Sequence, residues 1–204
     1  MDEETLYEFT TLKNKMDILY KVALSLSGGK NVEQGTTQTV TLNWTVKVNG
    51  SNVNPGSQTI SNGTTTETLG TTVRSKTYTG VTSNTTYTLT VDGVTANANV
   101  KFYYPAYFGV VSSDYTPNNS VSGLTKLTNY GSKSHNATTS TAGFNKVVYM
   151  YPSSLGALTT IKDGNNFELL SSFTRSTVTI NNVNYYAYVL TSATNTASQT
   201  FKFT

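Results

Sequence analysis

The chain has no cysteine and only one histidine among its 204 residues. Disulfides and thiolate metal sites are therefore excluded, and packing and sheet hydrogen bonds must hold the fold. The lone His135 lies in the polar stretch "GSKSHNATTS", which predicts a solvated loop residue, and zinc sites need several His or Cys ligands. We expect neither a metal nor another cofactor.

Charge is also sparse, because charged residues make up 12% of the chain and sum to a formal +3. Nucleic-acid binding requires Lys and Arg concentrated on one face, and no such cluster occurs. No apolar run approaches the roughly 20 residues that cross a bilayer. The start, Met1-Asp2-Glu3-Glu4, lacks the basic and apolar regions of a signal peptide. We therefore expect no nucleic-acid or membrane partner, and a protein that acts where it is made or leaves the cell inside a larger particle.

Carboxylates suited to catalysis are few. Five of the eleven acidic residues fall within the first seventeen positions. Asp92 and Asp163 each precede glycine, a pattern typical of turns. Asp114 and Glu168 have no such turn signal, and two isolated carboxylates do not make the flanking pair that a glycosidase needs. We expect no catalytic residue and no enzymatic activity.

An apolar stripe marks the N-terminal segment. Phe9, Leu12, Met16 and Leu19 recur at spacings of three, four and three, which predicts a short helix over residues 1–19. The stripe spans about two heptads, fewer than the three or four that indicate a coiled coil. It either packs on its own domain or forms an anchor and oligomerisation seam. We adopt the seam as the prediction, with a homotrimer as the expected oligomer.

Period-two alternation follows. In "TQTVTLNWTVKVNG" one face collects Val40, Leu42, Trp44, Val46 and Val48, which predicts a half-buried strand with Trp44 in the core. Asp92-Gly93 predicts a tight hairpin. Short strands at this spacing indicate an immunoglobulin-like β-sandwich over residues 20–104. Further strands are predicted at residues 20–26, 58–60, 67–73, 74–79, 86–91 and 96–103.

A second module is predicted over residues 105–204. Pro105 interrupts the preceding strand because proline donates no ladder hydrogen bond. The apolar run at residues 147–151 predicts a strand buried on both faces, and Asn181-Asn182 predicts a hairpin turn. The terminal "TFKFT" predicts a closing strand. The fold class is thus all-β, with two tandem β-sandwich modules preceded by a short helix.

Tyrosine is concentrated in the second module. In "NYYAYV", Tyr186 and Tyr188 share one face of a strand, and Tyr185 and Ala187 share the other. Tyrosine carries an apolar ring and a polar hydroxyl, which suits both cores and binding surfaces. We expect one face to lie in the core and Tyr185, Tyr186 or Tyr188 on the other to contact a partner subunit or a glycan.

Several motifs of the second module resemble a known group of proteins. "YPAYFGVV", "KVVYMYPSSLGALTTIKDGNNFELLSSF" and the "TFKF" ending are similar to the C-terminal domain of structural proteins in tailed bacteriophages, among them fibre, tail and neck components. The resemblance covers about the C-terminal half of the chain. "VEQGTTQTVTLNWTVKVNG" also resembles immunoglobulin-like domains of such particles, a pattern shared with bacterial surface proteins.

This resemblance implies a non-enzymatic virion structural protein of head, neck or tail. It would mediate assembly or host-surface contact, with other virion proteins and a host-surface glycan or receptor as partners. The alternative is a bacterial cell-surface or secreted adhesin, a glycan-binding module outside any particle. The resemblance supplies no catalytic residue.

Overall fold

The computed structural model describes Tyr7 and residues 22–204, and this part of the chain is all-β. Within residues 22–204 the helical segments are two short 3₁₀ helices, Ser153–Leu155 and Leu170–Ser172. The predicted helix over residues 1–19, with its stripe of Phe9, Leu12, Met16 and Leu19, lies outside the described residues except for Tyr7. The anchor and seam assigned to it stay predictions.

The chain divides into two compact units, each made of two stretches. The first consists of Met1–Lys30 and Gly35–Lys101, and the second of Asn31–Gln34 and Phe102–Thr204. The predicted first module, residues 20–104, therefore includes two stretches that belong to the second unit, residues 31–34 and 102–104.

The strands of the chain up to Tyr103 form two sheets. The strands are β1 (Val22–Ser27), β2 (Lys30–Glu33), β3 (Gln38–Val48), β4 (Ser51–Asn52), β5 (Gln58–Ser61), β6 (Thr66–Thr68), β7 (Ser75–Val81), β8 (Thr85–Val91) and β9 (Val94–Tyr103). Within the first unit, one antiparallel sheet has the order β1-β3-β4 with β7 also paired to β3, and the other includes the antiparallel strands β9-β8-β5-β6.

The core of the first unit follows the predicted alternation of β3. Val40, Leu42, Trp44 and Val46 are buried, with Trp44 3% exposed, while the residues between them face solvent. This confirms the core position of Trp44. The indole N–H donates to Oε1 of buried Gln58 on β5 at 3.2 Å, so a hydrogen bond joins the two sheets within a sandwich-like core.

The strand predicted over residues 67–73 is wrong beyond Thr68. The Gln58 side-chain amide donates to the carbonyl oxygens of Gly70 and Val73, and the amide of Val73 donates to the carbonyl of Gly70 at 3.0 Å. The bond from Val73 to Gly70 closes a turn over residues 70–73, and the Gln58 amide holds this turn beside the start of β5, where the predicted strand would have continued.

The second unit contains two antiparallel sheets. The strands are β10 (Ala106–Val111), β11 (Thr125–Leu127), β12 (His135–Thr139), β13 (Lys146–Pro152), β14 (Ile161–Asp163), β15 (Phe173–Ile180), β16 (Val183–Leu190) and β17 (Gln199–Phe203). A five-stranded sheet has the order β11-β10-β13-β16-β15, and a three-stranded sheet has the order β12-β17-β14. The predicted closing strand is confirmed as β17, the centre of the smaller sheet.

The core of the second unit lies on both sides of β13. All five side chains of residues 147–151 are 0% exposed, which confirms a strand buried on both faces. Tyr149 and Tyr151 pack with Phe201 and Phe203 of the smaller sheet. Val148 and Met150 face the opposite way, toward Val178, Tyr185 and Ala187 and the partly buried Tyr115, Val121 and Leu124.

Both predicted hairpin turns are confirmed. Asp92 and Gly93 have φ of 46° and 83°, and Asn181 and Asn182 have φ of 50° and 64°. Two successive left-handed residues match the twist of the flanking strands, which explains the Asn, Asp and Gly found there. The turns fix the registers of β8 with β9 and of β15 with β16.

Candidate functional site

The three tyrosines predicted as contact residues occupy different environments. Tyr185 and Tyr188 are each 2% exposed, whereas Tyr186 is half-buried. Strand β16 is covered on both faces, so the core takes Tyr185 on one face and Tyr188 on the other. The surface predicted for the three tyrosines is therefore reduced to Tyr186, whose ring lies 5.0 Å from the guanidinium carbon of Arg175.

The buried tyrosines use their hydroxyls to hold the backbone of other segments. Tyr185 Oη donates to the carbonyl of Pro105 at 3.1 Å, and Tyr188 Oη accepts from the amide of Leu158 at 2.9 Å. Burial raises the pKa of the Tyr185 phenol, so the hydroxyl stays protonated and keeps donating. These two side chains are structural members of the second unit.

His135 is not the solvated loop residue that the sequence predicted. It opens β12, is half-buried, and stacks on Tyr149 with ring centroids 5.4 Å apart. Phe108 and Phe203 lie at 5.3 Å and 6.3 Å from it. Burial lowers the pKa of the imidazole, since desolvation disfavours its charged form. The residue belongs to an aromatic cluster that brings together β10, β12, β13 and β17.

The turn roles of Asp92 and Asp163 are confirmed. Asp92 accepts hydrogen bonds from the backbone amides of Gly56 and Ser57 at 3.1 and 2.8 Å. Asp163 Oδ1 accepts from the amides of Asn165 and Phe167 at 2.8 and 2.9 Å. Each carboxylate thus organises a loop rather than standing free in a cleft.

The remaining acidic candidates do not converge either. Glu168 Oε1 accepts from the amides of Ile161 and Leu170 at 3.0 and 2.9 Å, and these bonds lower the pKa of its carboxyl group. Asp114 is exposed on the segment between β10 and β11. Across the described residues, no three His, Asp or Glu side chains come together as metal ligands. No helix within residues 22–204 has the length and apolar character to span a bilayer.

A carboxylate ties the short N-terminal stretch of the second unit to the rest of it. Both oxygens of Glu33 accept from Lys126 Nζ at 3.0 Å, and Tyr130 Oη donates to Oε2 at 3.0 Å. The pKa of Glu33 is lowered, chiefly by the hydrogen bond from Lys126. Nearby, the amide of Gln34 donates to the carbonyl of Tyr103 at 2.8 Å.

The first unit contains a cleft of about 430 Å³ beside Trp44 and Arg74. Its one cation is already engaged: the Arg74 guanidinium donates to the carbonyls of Thr71, Val73 and Val53 and to Oδ1 of Asn54, at 2.6 to 3.0 Å. An arginine with four acceptors in place has little left for a ligand. The cleft is therefore a place where Arg74 holds two loops together, residues 53–54 and residues 71–73.

The second unit contains a smaller cavity of about 200 Å³. It lies where the segment after β10 crosses the ends of β13, β15 and β16. The hydroxyls of two lining residues, Tyr115 Oη and Ser176 Oγ, are themselves buried and have no hydrogen-bond partner among the described residues. The residues that line it include Tyr115, Pro117, Lys146, Ser176, Val189 and Leu190.

A regular polar face covers the outer side of the second sheet of the first unit. Thr90 is directly opposite Thr95 on β9 and Thr59 on β5, and Thr59 is opposite Thr68 on β6. A second row, offset by two residues along each strand, consists of Asn97, Thr88, Ser61 and Thr66. All eight side chains are exposed or half-buried, and none is charged. We call these two rows the threonine face.

Comparison with known proteins identifies no relative: no protein-family model, no curated protein and no solved structure matches this chain.

Sequence reasoning missed the cavity and the roles of Gln58 and Glu33. Gln58 carried a usable signal, because it shares the inward parity of Ile60 on β5 and a polar residue at such a position must find buried partners. Tyr115, Lys146 and Ser176 gave no such signal, since they lie 30 or more positions apart in the sequence. They meet only because the segment after β10 crosses the sheet.

Proposed function

We propose that this chain is a non-enzymatic structural component of a tailed-bacteriophage particle, which mediates assembly or host-surface contact. In this proposal the two units are tandem β-sandwich modules, the first of them immunoglobulin-like. The N-terminal segment is the anchor and trimerisation element. Other virion proteins and a host-surface glycan or receptor are the partners.

The threonine face is the observation that carries the proposal. Threonine side chains present a methyl and a hydroxyl at each position, and cross-strand registers hold four such positions in line. A rigid, uncharged face of this kind binds by shape and hydrogen bonding, with little dependence on long-range charge. That suits a partner met at high local concentration within a particle or on a cell surface.

The second unit supports the same role through rigidity. Its core is built on aromatic rings, including Tyr149 and Phe203 with centroids 4.6 Å apart. Aromatic pairs of this kind add about 0.5–1.5 kcal/mol each beyond burial. A stiff unit transmits position, which is what a connecting or projecting component must do.

Particle association tests the proposal. Phage particles from the host that carries the gene are banded by density-gradient centrifugation, and the chain is sought by antibody and peptide mass spectrometry. We expect it to comigrate with infectious particles at a fixed copy number relative to the major capsid protein. Host membranes and culture medium from uninfected cells serve as the matched fractions.

The same fractions address the alternative, a bacterial surface or secreted adhesin. Recovery of the chain from uninfected cell envelopes or medium, and its absence from banded particles, would overturn the virion assignment in favour of the adhesin.

A further inference from the structure

The cavity of the second unit differs from the cleft of the first because the hydroxyls of two of its lining residues lack partners. Tyr115 Oη and Ser176 Oγ each expose less than 1 Å² and form no hydrogen bond with any described residue. Leaving a buried hydroxyl unpaired destabilises the folded state. Native proteins normally satisfy such groups with protein atoms, ordered water or a ligand.

The strand register explains why Ser176 has no partner. Ser176 on β15 is directly opposite Ala187 on β16, which offers no polar atom. Its neighbour on the same face, Thr174, is paired with Thr191 at 3.0 Å between the hydroxyl oxygens. The missing partner is therefore a local feature of Ser176 and not of the whole strand face.

Lys146 supplies the cationic group of the cavity. It opens β13, and its ammonium forms no hydrogen bond or ion pair with any residue in the described part of the chain. The exposed carboxyl group of Asp114 interacts electrostatically with Lys146. Its pKa is lowered first by a hydrogen bond from Ser112 and only to a small extent by Lys146. An anionic ligand could thus approach Lys146 without displacing a bound carboxylate.

The size and the lining of the cavity restrict the ligand. Its volume of about 200 Å³ is below the 300–1,000 Å³ typical of drug-sized ligands and corresponds to about seven waters at about 30 Å³ each. Pro117, Val189 and Leu190 contribute apolar surface beside the hydroxyls. This combination matches a sugar ring, which presents C–H groups on its faces and hydroxyls at its edge.

We propose that this cavity binds a single acidic monosaccharide unit, with its carboxylate on Lys146 and its ring hydroxyls on Tyr115 and Ser176. Inorganic phosphate is a poorer match, because one cation and an apolar floor leave most of its oxygens unpaired. Both hydroxyl oxygens are covered in the free protein, so the proposed binding requires the hydroxyls of Tyr115 and Ser176 to turn toward the cavity when the ligand enters. The inference concerns the cavity alone and stands whether or not the chain belongs to a particle.

Titration calorimetry on the full chain tests the proposal with three probes: glucuronate, glucose and inorganic phosphate. Glucuronate is expected to bind at least about tenfold more tightly than glucose, since a charge-assisted hydrogen bond contributes about 1.5–3 kcal/mol. Phosphate is expected to bind no more tightly than glucose. Lys146→Met should abolish the preference for glucuronate, and Lys101→Met on β9 of the first unit is the matched control that should keep it.

A second measurement separates binding from folding. Ser176→Ala and Tyr115→Phe should each weaken glucuronate binding at least about fivefold and raise the thermal unfolding midpoint of the free protein, because each removes an unpaired buried hydroxyl. A variant with a raised unfolding midpoint is folded, so weaker glucuronate binding by it reports the loss of a ligand contact. A lowered midpoint would show that ordered waters satisfy these hydroxyls and would overturn the proposal.

The binding data alone can also overturn it. Failure of glucuronate to bind at tens of millimolar, equal binding of glucose and glucuronate, or tighter binding of phosphate would each rule out an acidic-sugar site.

Discussion

The hydroxyl of Tyr188 accepts a hydrogen bond from the backbone amide of Leu158 at 2.9 Å, and both residues are buried. The bond fixes the loop between β13 and β14 against the five-stranded sheet of the second unit. It also shows how this unit uses tyrosine: the ring fills the core and the hydroxyl satisfies a backbone group that the loop would otherwise leave unpaired.

Replacing Tyr188 with Phe should lower the free energy of unfolding by about 1–3 kcal/mol, because the buried Leu158 amide loses its acceptor. Tyr186→Phe is the matched control, since Tyr186 is half-buried on the same strand and its ring keeps the contact with Arg175. Urea unfolding of the two variants checks the difference. Equal losses would contradict the role assigned to the Tyr188 hydroxyl.

Gln58→Leu should destabilise the first unit by about 1–3 kcal/mol, because the buried Trp44 N–H loses its acceptor. The carbonyls of Gly70 and Val73 retain other donors, Val73 N and Arg74 Nη1. A double-mutant cycle with Trp44→Phe isolates the indole bond. The cost of Gln58→Leu should fall when Phe occupies position 44, and an unchanged cost would place the energy elsewhere.

His135 should make the second unit sensitive to mild acid. The folded state lowers the pKa of the imidazole below its ordinary 6.5, so in the window just below pH 6.5 the unfolded chain binds more protons than the folded one. Stability is therefore fully present above pH 6.5 and falls as the pH drops toward the folded pKa. His135→Phe keeps an aromatic ring and should remove this part of the pH dependence.

The titration can be followed directly by NMR of the imidazole Hε1 proton, with urea unfolding at several pH values as the companion measurement. A folded-state pKa at or above 6.5 would refute the burial argument.

Under the proposed virion role, charge placed on the threonine face should impair contact with the partner without impairing folding. Thr90→Lys puts an ammonium at the centre of the first row, between Thr95 and Thr59. We expect a stability change within about 0.5 kcal/mol, as for most surface substitutions, and a loss of incorporation into particles. Thr41→Lys, on the exposed side of β3, is the matched control that should incorporate normally.

If both variants incorporate equally and bind cells equally, the threonine face is not the contact surface.

Much of the strand architecture could be predicted from local pattern. The alternation through Trp44 gave β3 and its buried face, and the apolar run at residues 147–151 gave the central strand of the second unit. Both succeed because the residues of the strand itself carry the signal, as alternation where one face is covered and as a continuous apolar run where both are.

Features that depend on distant segments could not be predicted. His135 has polar neighbours in the sequence, which predicted a solvated side chain. Its actual environment is formed by Phe108, Tyr149 and Phe203 from three other strands. Tyr185 and Tyr188 were both candidates for exposure, because alternation tells which side chains share a face and not how many faces are covered. Residues 31–34 belong to the second unit, where the Glu33 carboxylate binds the ammonium of Lys126, 93 positions further along the chain.

The pairing of Glu33 with Lys126 has a practical corollary for dissecting this molecule. Because residues 31–34 complete a unit whose other residues begin at Phe102, no single cleavage of the chain releases that unit whole. A fragment beginning at residue 105 retains Lys126 and Tyr130 but lacks the carboxylate that both of them bind. Excision of the C-terminal half should therefore yield a less stable fragment, which a peptide supplying residues 31–34 in trans could complement.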